Sequence, residues 1–169
     1  MPELKHVSAK EALDTIAAAF NDEKYPGDQN IVYNNDPRHV ACASVRDKLA
    51  RLDWKDLSSE LVSDTAEDLV FLTTGALRYY LPGYMRLVLA EPKRYFTLNS
   101  EMIDLLTLTK ERADWFRQHL GDLTDAEDRA VLAFLQESAS RNPASLGADA
   151  EKAIASFWGL PSEGRHPQR

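Results

Sequence analysis

Cysteine is nearly absent from this chain: Cys42 stands alone, so no intramolecular disulfide can form and a reducing cytosol is the expected compartment. The N-terminus shows no basic-then-apolar signal pattern, which agrees with a cytoplasmic location. Basic charge is also short. Twenty Lys and Arg stand against 27 Asp and Glu, for a net charge of −7. Binding to a phosphate backbone or an anionic membrane needs a concentrated basic face, so nucleic acid and membrane are not expected partners. Long apolar runs are missing too. The most apolar stretch, 69–90, is broken by Arg78, Pro82, Gly83 and Arg86, short of the ~20 uninterrupted residues of a membrane span. It reads as a core helix.

Catalytic signatures are absent as well. There is no G-x-S-x-G, P-loop, G-x-G-x-x-G or H-E-x-x-H. His39 and Cys42 are three apart, but zinc takes three or four ligands and no second Cys/His pair follows, so neither metal nor cofactor is expected. Cys42 falls on an apolar helical stripe, where a thiol is inert. Paired acids such as Glu67-Asp68, or Asp125 with Asp128, suit the first turn of a helix, where negative charge opposes the macrodipole. The balance leans away from an enzyme.

What is present is helical. At 169 residues the chain fits one domain, and 44% hydrophobic with 28% charged residues matches an ordinary globular composition. Ser8 and Glu11 form a capping box ahead of Leu13, Ile16, Ala17 and Phe20, one helical face. Residues 21–36 break the period, and Tyr25-Pro26-Gly27-Asp28 is a turn signature. A brief strand at Ile31-Val32-Tyr33 is an option, but an ordered loop is the favoured reading. Asp36-Pro37 suits an N-cap followed by proline at the first helical position. Cys42, Val45, Leu49 and Leu52 then line a second helix.

The segment 53–68 predicts short acidic turns pinned by Trp54 and Leu57. A third helix should start near Thr73 or Thr74 and reach Ala90, with a kink or break at Pro82. Asn99 or Ser100 should cap a helix to Leu106. The next helix, about 110–120, should bury Trp115, Phe116, His119 and Leu120 and stop at Gly121, with His119 answering the free carbonyls of its last turn. Thr124 and Glu127 make a second capping box for a helix ending near Ser140, and the last helix spans about 148–158. The expected fold is all-α: a single compact orthogonal bundle of about six or seven helices over residues 1–169, with one long ordered loop near the N-terminus. Residues 1–7 and 162–169 are expected to be mobile.

The turn Tyr25-Pro26-Gly27-Asp28, the acidic segment with Trp54, and the core Phe71-Leu72-Thr73 through Arg78-Tyr79-Tyr80-Leu81-Pro82 together resemble a bacterial domain family of unknown function. Its pattern is a Y-P-G-D turn followed by F-L-T-x-x-x-x-R-Y-Y-L-P. The resemblance spans about 8–135 and implies no reaction. Gly83 departs from it, where the family has small residues such as alanine.

Two clusters are candidates for function. Arg78 beside Tyr79, facing a loop with Tyr25, Asp28 and Tyr33, has the chemistry to clamp a carboxylate or phosphate. The ordinary alternative is a buried polar network in which Arg78 pairs with an acid of the 64–68 group. In the second cluster, Asp53, Asp56, Glu60 and Asp64 surround Trp54 with Lys55 as the one nearby cation, either a solvated face or a dock for a basic partner with Trp54 as anchor. Three functional readings follow. The first is a protein-binding module, of immunity type, that neutralises a basic protein through its acidic face. The alternative is a small enzyme or ligand-binding protein with a pocket between the Tyr25–Asp28 loop and the Arg78–Tyr80 helix. A scaffolding homodimer is the third.

Overall fold

The computed structural model describes residues 7–142 and 144–161. Among these, seven α-helices form and no strand does: α1 (Ala9–Ala19), α2 (Val40–Leu49), α3 (Thr74–Ala90), α4 (Phe96–Leu105), α5 (Ala113–Leu120), α6 (Asp125–Arg141) and α7 (Gly147–Ala153). The all-α class read from the 3.6-residue periodicities is the one observed. The expected mobility of the termini falls, Val7 apart, outside the described residues.

α1 begins with the expected capping box: the Ser8 hydroxyl accepts from the Glu11 N–H and Glu11 accepts from the Ser8 N–H at 2.8 Å. Its buried face is Ala12, Ile16 and Phe20, while Ala17 points to solvent. Between α1 and α2, Gly27 adopts φ +89°, a left-handed conformation that a side chain would strain. A 3-10 turn, Asp28–Asn30, follows. Val32 then forms an isolated antiparallel bridge with Leu72, closed by Tyr33 N–H to the Phe71 carbonyl (3.1 Å) and Thr73 N–H to the Ile31 carbonyl (3.0 Å). The apolar triplet 31–33 thus pairs for one step and no further.

α2 starts later than its sequence suggests. His39, not Asp36, is the N-cap, its Nδ1 accepting from the Cys42 N–H at 3.2 Å. Asp36 instead closes the preceding turn through its carbonyl and holds Arg38 through its carboxylate. Cys42, Val45 and Leu49 face the core, with the Cys42 thiol free and fully buried.

α3 is the centre of the molecule, with twelve of its seventeen residues buried. Thr73 caps it, and the helix continues through Pro82 without the expected break. Proline removes one N–H, but neighbours packed along most of its faces hold the helix together. α6 packs on α1 and α7, α4 on α7 and α3, and α5 on α3. Asn99 lies within α4 rather than capping it, because its buried side chain accepts from the Ser138 hydroxyl of α6 (3.1 Å). α5 opens at Ala113, three residues later than expected, and α6 carries the Thr124/Glu127 capping box. A π turn, Ile154–Trp158, extends α7 and brings Phe157 and Trp158 against Phe116, with the Trp158 indole donating to the Leu106 carbonyl (2.6 Å).

Gly83 has a packing role. A Cβ there would lie 2.5 Å from the Trp54 carbonyl oxygen and 2.4 Å from a Leu57 methyl. The 3-10 turn Trp54–Asp56 can approach α3 only because that atom is missing. Gly83→Ala should therefore lower unfolding free energy by about 1–3 kcal/mol in urea denaturation, although alanine is the better helix former.

Candidate functional site

Arg78 spans from α3 to the start of α6. Its Nε and Nη2 donate to the two carboxylate oxygens of Glu127 at 2.8 and 2.7 Å, and Glu23 approaches Nε at 3.2 Å. Glu127 is 1% exposed, and one of its oxygens also accepts from the Thr124 N–H that opens α6. The acids of 64–68 are therefore not its partners: Asp68 bonds Lys48 (2.6 Å) and receives the Tyr84 hydroxyl (3.5 Å). With two carboxylates already answering its charge, Arg78 acts as a bidentate tie between helices rather than a clamp waiting for an anion.

Tyr25, Asp28 and Tyr79 do come together, around the end of α2. The Tyr25 hydroxyl donates to Asp28 and accepts from the Arg51 N–H (2.8 Å). Arg51, at φ +62°, is the only described non-glycine residue with positive φ, and its Nε reaches Asp28 at 3.3 Å. The Tyr79 ring meets Tyr25 and Tyr80 edge-on, at centroid distances of 5.7 and 5.0 Å. Tyr80 donates to the Leu49 carbonyl at 2.7 Å. The hydrogen bond from Tyr25 holds the Asp28 carboxyl below the usual carboxylate range, and burial raises the hydroxyl pKa of Tyr25 and Tyr79. This cluster terminates α2 and fastens it to α3.

In the acidic segment, Asp53, Asp56, Glu60 and Asp64 are all exposed, and Glu67 with them. Trp54 is not. At 3% exposure it packs inward with Leu57, so it anchors the segment to the core and offers no surface to a partner. Asp53 caps the Trp54 turn by accepting the Lys55 N–H, and Lys55 lies over the Trp54 ring.

The surface aromatics lie elsewhere. Tyr33, 59% exposed, stacks on Phe71 and meets His39 edge-on, with Val40 (76%) and Val70 (50%) in the adjoining sequence positions. Tyr33 and Val70 also line an open groove of about 870 Å³, together with the start of α3 and Trp115 and His119 of α5. Those two rings stack in parallel at 4.5 Å, with His119 Nδ1 2.9 Å from the Trp115 carbonyl. Their spacing puts both in the predicted buried edge of α5, but both are half-buried. Of the loop residues expected at a pocket, Tyr33 lies in this groove together with Pro26. Arg78 and Tyr79 do not line it.

The chain matches a family of unknown function, DUF6714, over residues 9–160. It belongs to that family. The match extends past the 8–135 span over which the motifs suggested an uncharacterised family. No curated protein and no solved structure matches the chain. Among the described residues of this DUF6714 member, no three His, Cys, Asp or Glu side chains converge as a metal site would require. No helix there is long and apolar enough to cross a membrane.

The Arg78 cluster yields two predictions. Removing the guanidinium leaves Glu127 charged and buried, so Arg78→Met should cost about 3 kcal/mol in chemical denaturation. Glu23 behaves oppositely. Burial and the Glu127 carboxylate hold its pKa above the ordinary 4.5, although Arg78 pulls it down. The protonated form is thus favoured by folding. Its contribution is complete below pH 4.5 and is lost as pH rises through the elevated value. Glu23→Gln cannot ionise, so it should melt higher than the native DUF6714 chain at pH 7, with the difference vanishing toward pH 4.

Proposed function

We propose that the protein is a protein-binding module of the bacterial cytoplasm that docks a basic partner, as an immunity-type protein would. The observation that carries this reading is the location of the exposed apolar side chains. Of the six large ones on the described surface, Leu61 lies inside the acidic segment and Val70 two residues beyond it. Tyr33 and Val40 flank the same Phe71 and His39 rings. Exposed apolar side chains interleaved in sequence with acidic ones have the composition of a docking face, in which apolar contact supplies affinity and charge supplies steering. Asp53, Asp56, Glu60, Asp64 and Glu67 provide that charge.

Photocrosslinking in the native host tests it, with the crosslinker at Tyr33 or Val70 and, as control, at Ala18, an exposed position of α1. A basic protein captured at the first two sites and not the third, with capture falling when salt is raised before irradiation, supports the proposal. Capture of nothing, or equal capture at all three, counts against it. With such a partner, Asp53→Asn, Asp56→Asn and Glu60→Gln combined should slow association about tenfold at low salt while leaving dissociation nearly unchanged. An unchanged on-rate would remove the electrostatic argument.

A second reading, a ligand-binding protein or small enzyme, draws on the groove. It places the ligand between Tyr33 and α5 rather than between Tyr25 and Arg78.

A further inference from the structure

His39 closes the start of α2 with an imidazole, where a hydroxyl or an amide would be the ordinary choice, and this makes the closure depend on protonation. Its Nδ1 accepts from the Cys42 N–H at 3.2 Å, so Nδ1 is bare and the neutral ring keeps its hydrogen on Nε2. Nε2 lies 3.5 Å from the Tyr33 hydroxyl, whose oxygen is the acceptor in that tautomer. A Ser, Thr or Asn cap accepts at every pH. An imidazolium cannot, because both of its nitrogens are donors. Protonation therefore sets two hydrogens against each other at the Cys42 amide and adds positive charge at the positive end of the helix dipole.

The neighbouring groups do little to offset this. Asp36, three residues earlier, already holds Arg38 through its carboxylate at 2.7 Å. From the 3-10 turn Glu67–Phe71, which packs on α2, the uncharged Phe71 ring meets the imidazole edge-on. In the same turn Asp68 is bonded to Lys48, near the other end of α2, and Glu67 is exposed. The loop before α2 contributes the Tyr33 ring, and α2 itself the Cys42 amide. His39 is half-buried, so water can deliver the proton.

We propose that His39 is a pH-operated latch on α2, closed while its imidazole is neutral and released when it takes up a proton. The change falls in the range, around pH 6.5, where histidine gains its charge. Release frees the first turn, residues 40–42, while Tyr80 and Tyr25 still hold the other end of the helix. The latch belongs to the chain by itself and stands whether or not the docking reading does. It bears on the exposed apolar face all the same, because Tyr33 and Phe71 meet the His39 ring and Val40 follows it. That face is ordered above the transition and loosened below it.

Long-range 1H–15N spectra of the imidazoles in the full chain give a first reading: at pH 7.5, His39 should show a bare Nδ1 and a protonated Nε2. Amide hydrogen exchange gives the second, expressed as protection over the intrinsic rate so that the pH dependence of the exchange chemistry cancels. Between pH 7.5 and pH 5, protection of the Cys42 amide should fall about fivefold relative to that of Tyr80 in α3, the factor that one helix cap supplies. In His39→Asn, whose side-chain oxygen accepts at either pH, the same ratio should stay constant.

A proton on Nδ1 at pH 7.5, or Cys42 protection that keeps pace with Tyr80 at both pH values, overturns the proposal. So does a fall of equal size in His39→Asn, which would trace the loosening to another group. Should that variant fail to fold, the tautomer and the exchange of the native chain decide the matter by themselves.

Discussion

A helix buried along most of its length must find internal partners for most of the polar groups it carries, and α3 is such a helix. Its polar side chains reach out to different parts of the chain. Thr73 bonds the Asn30 carbonyl, Arg78 bonds Glu127, and Tyr80 bonds the Leu49 carbonyl. Tyr84 reaches Asp68, and Arg86 donates to the carbonyls of Lys55 and Leu57. Each contact fixes the position of one segment: the loop after α1, the start of α6, the end of α2, the acidic turns. Arg141 does the same from the other side, bonding Glu137 of its own helix and the Leu89 carbonyl near the end of α3. The bundle is thus specified by polar geometry laid over an apolar core, since apolar packing alone tolerates rotation and sliding of helices.

This changes the meaning of the motifs that stand out most in the sequence. Arg78, Tyr79, Tyr80 and the Tyr25–Asp28 turn are what α3 uses to hold its neighbours. Their residue types resemble those of a binding site because buried satisfaction and ligand recognition draw on the same donors and acceptors. The groove, by contrast, is built from residues with little individual signature: a threonine-capped helix start, an exposed tyrosine, a valine, and an i, i+4 pair of rings.

What the sequence made legible was local. The capping boxes at Ser8 and Thr124 were readable because donor and acceptor lie three residues apart, and the limits of α3 because Thr73 and a long apolar run bracket it. What it hid was long-range. Arg78 and Glu127 are 49 positions apart, and nothing at either end identifies the other. Asn99 reads as a cap by preference, yet a hydroxyl 39 residues away draws it inside α4. Trp54 was legible as a core residue and misleading as an anchor, since aromatic residues serve both purposes and only burial separates them. The Trp115–His119 pair carried a usable signal. Two rings four apart on a helix stack on one face, and with Phe116 and Leu120 already supplying the buried edge, that face is free to meet solvent.

The buried sole thiol makes the molecule its own reporter of opening. Cys42 lies on the inner face of α2, and α2 is fastened at its end by Tyr80 and Tyr25. A thiol reagent can reach that sulfur only when α2 lifts or the whole chain opens. The rate of its modification, at rising reagent concentration, therefore separates the two. A rate that tracks the unfolding equilibrium means the bundle opens as one body, and a faster rate means that α2 leaves α3 by itself.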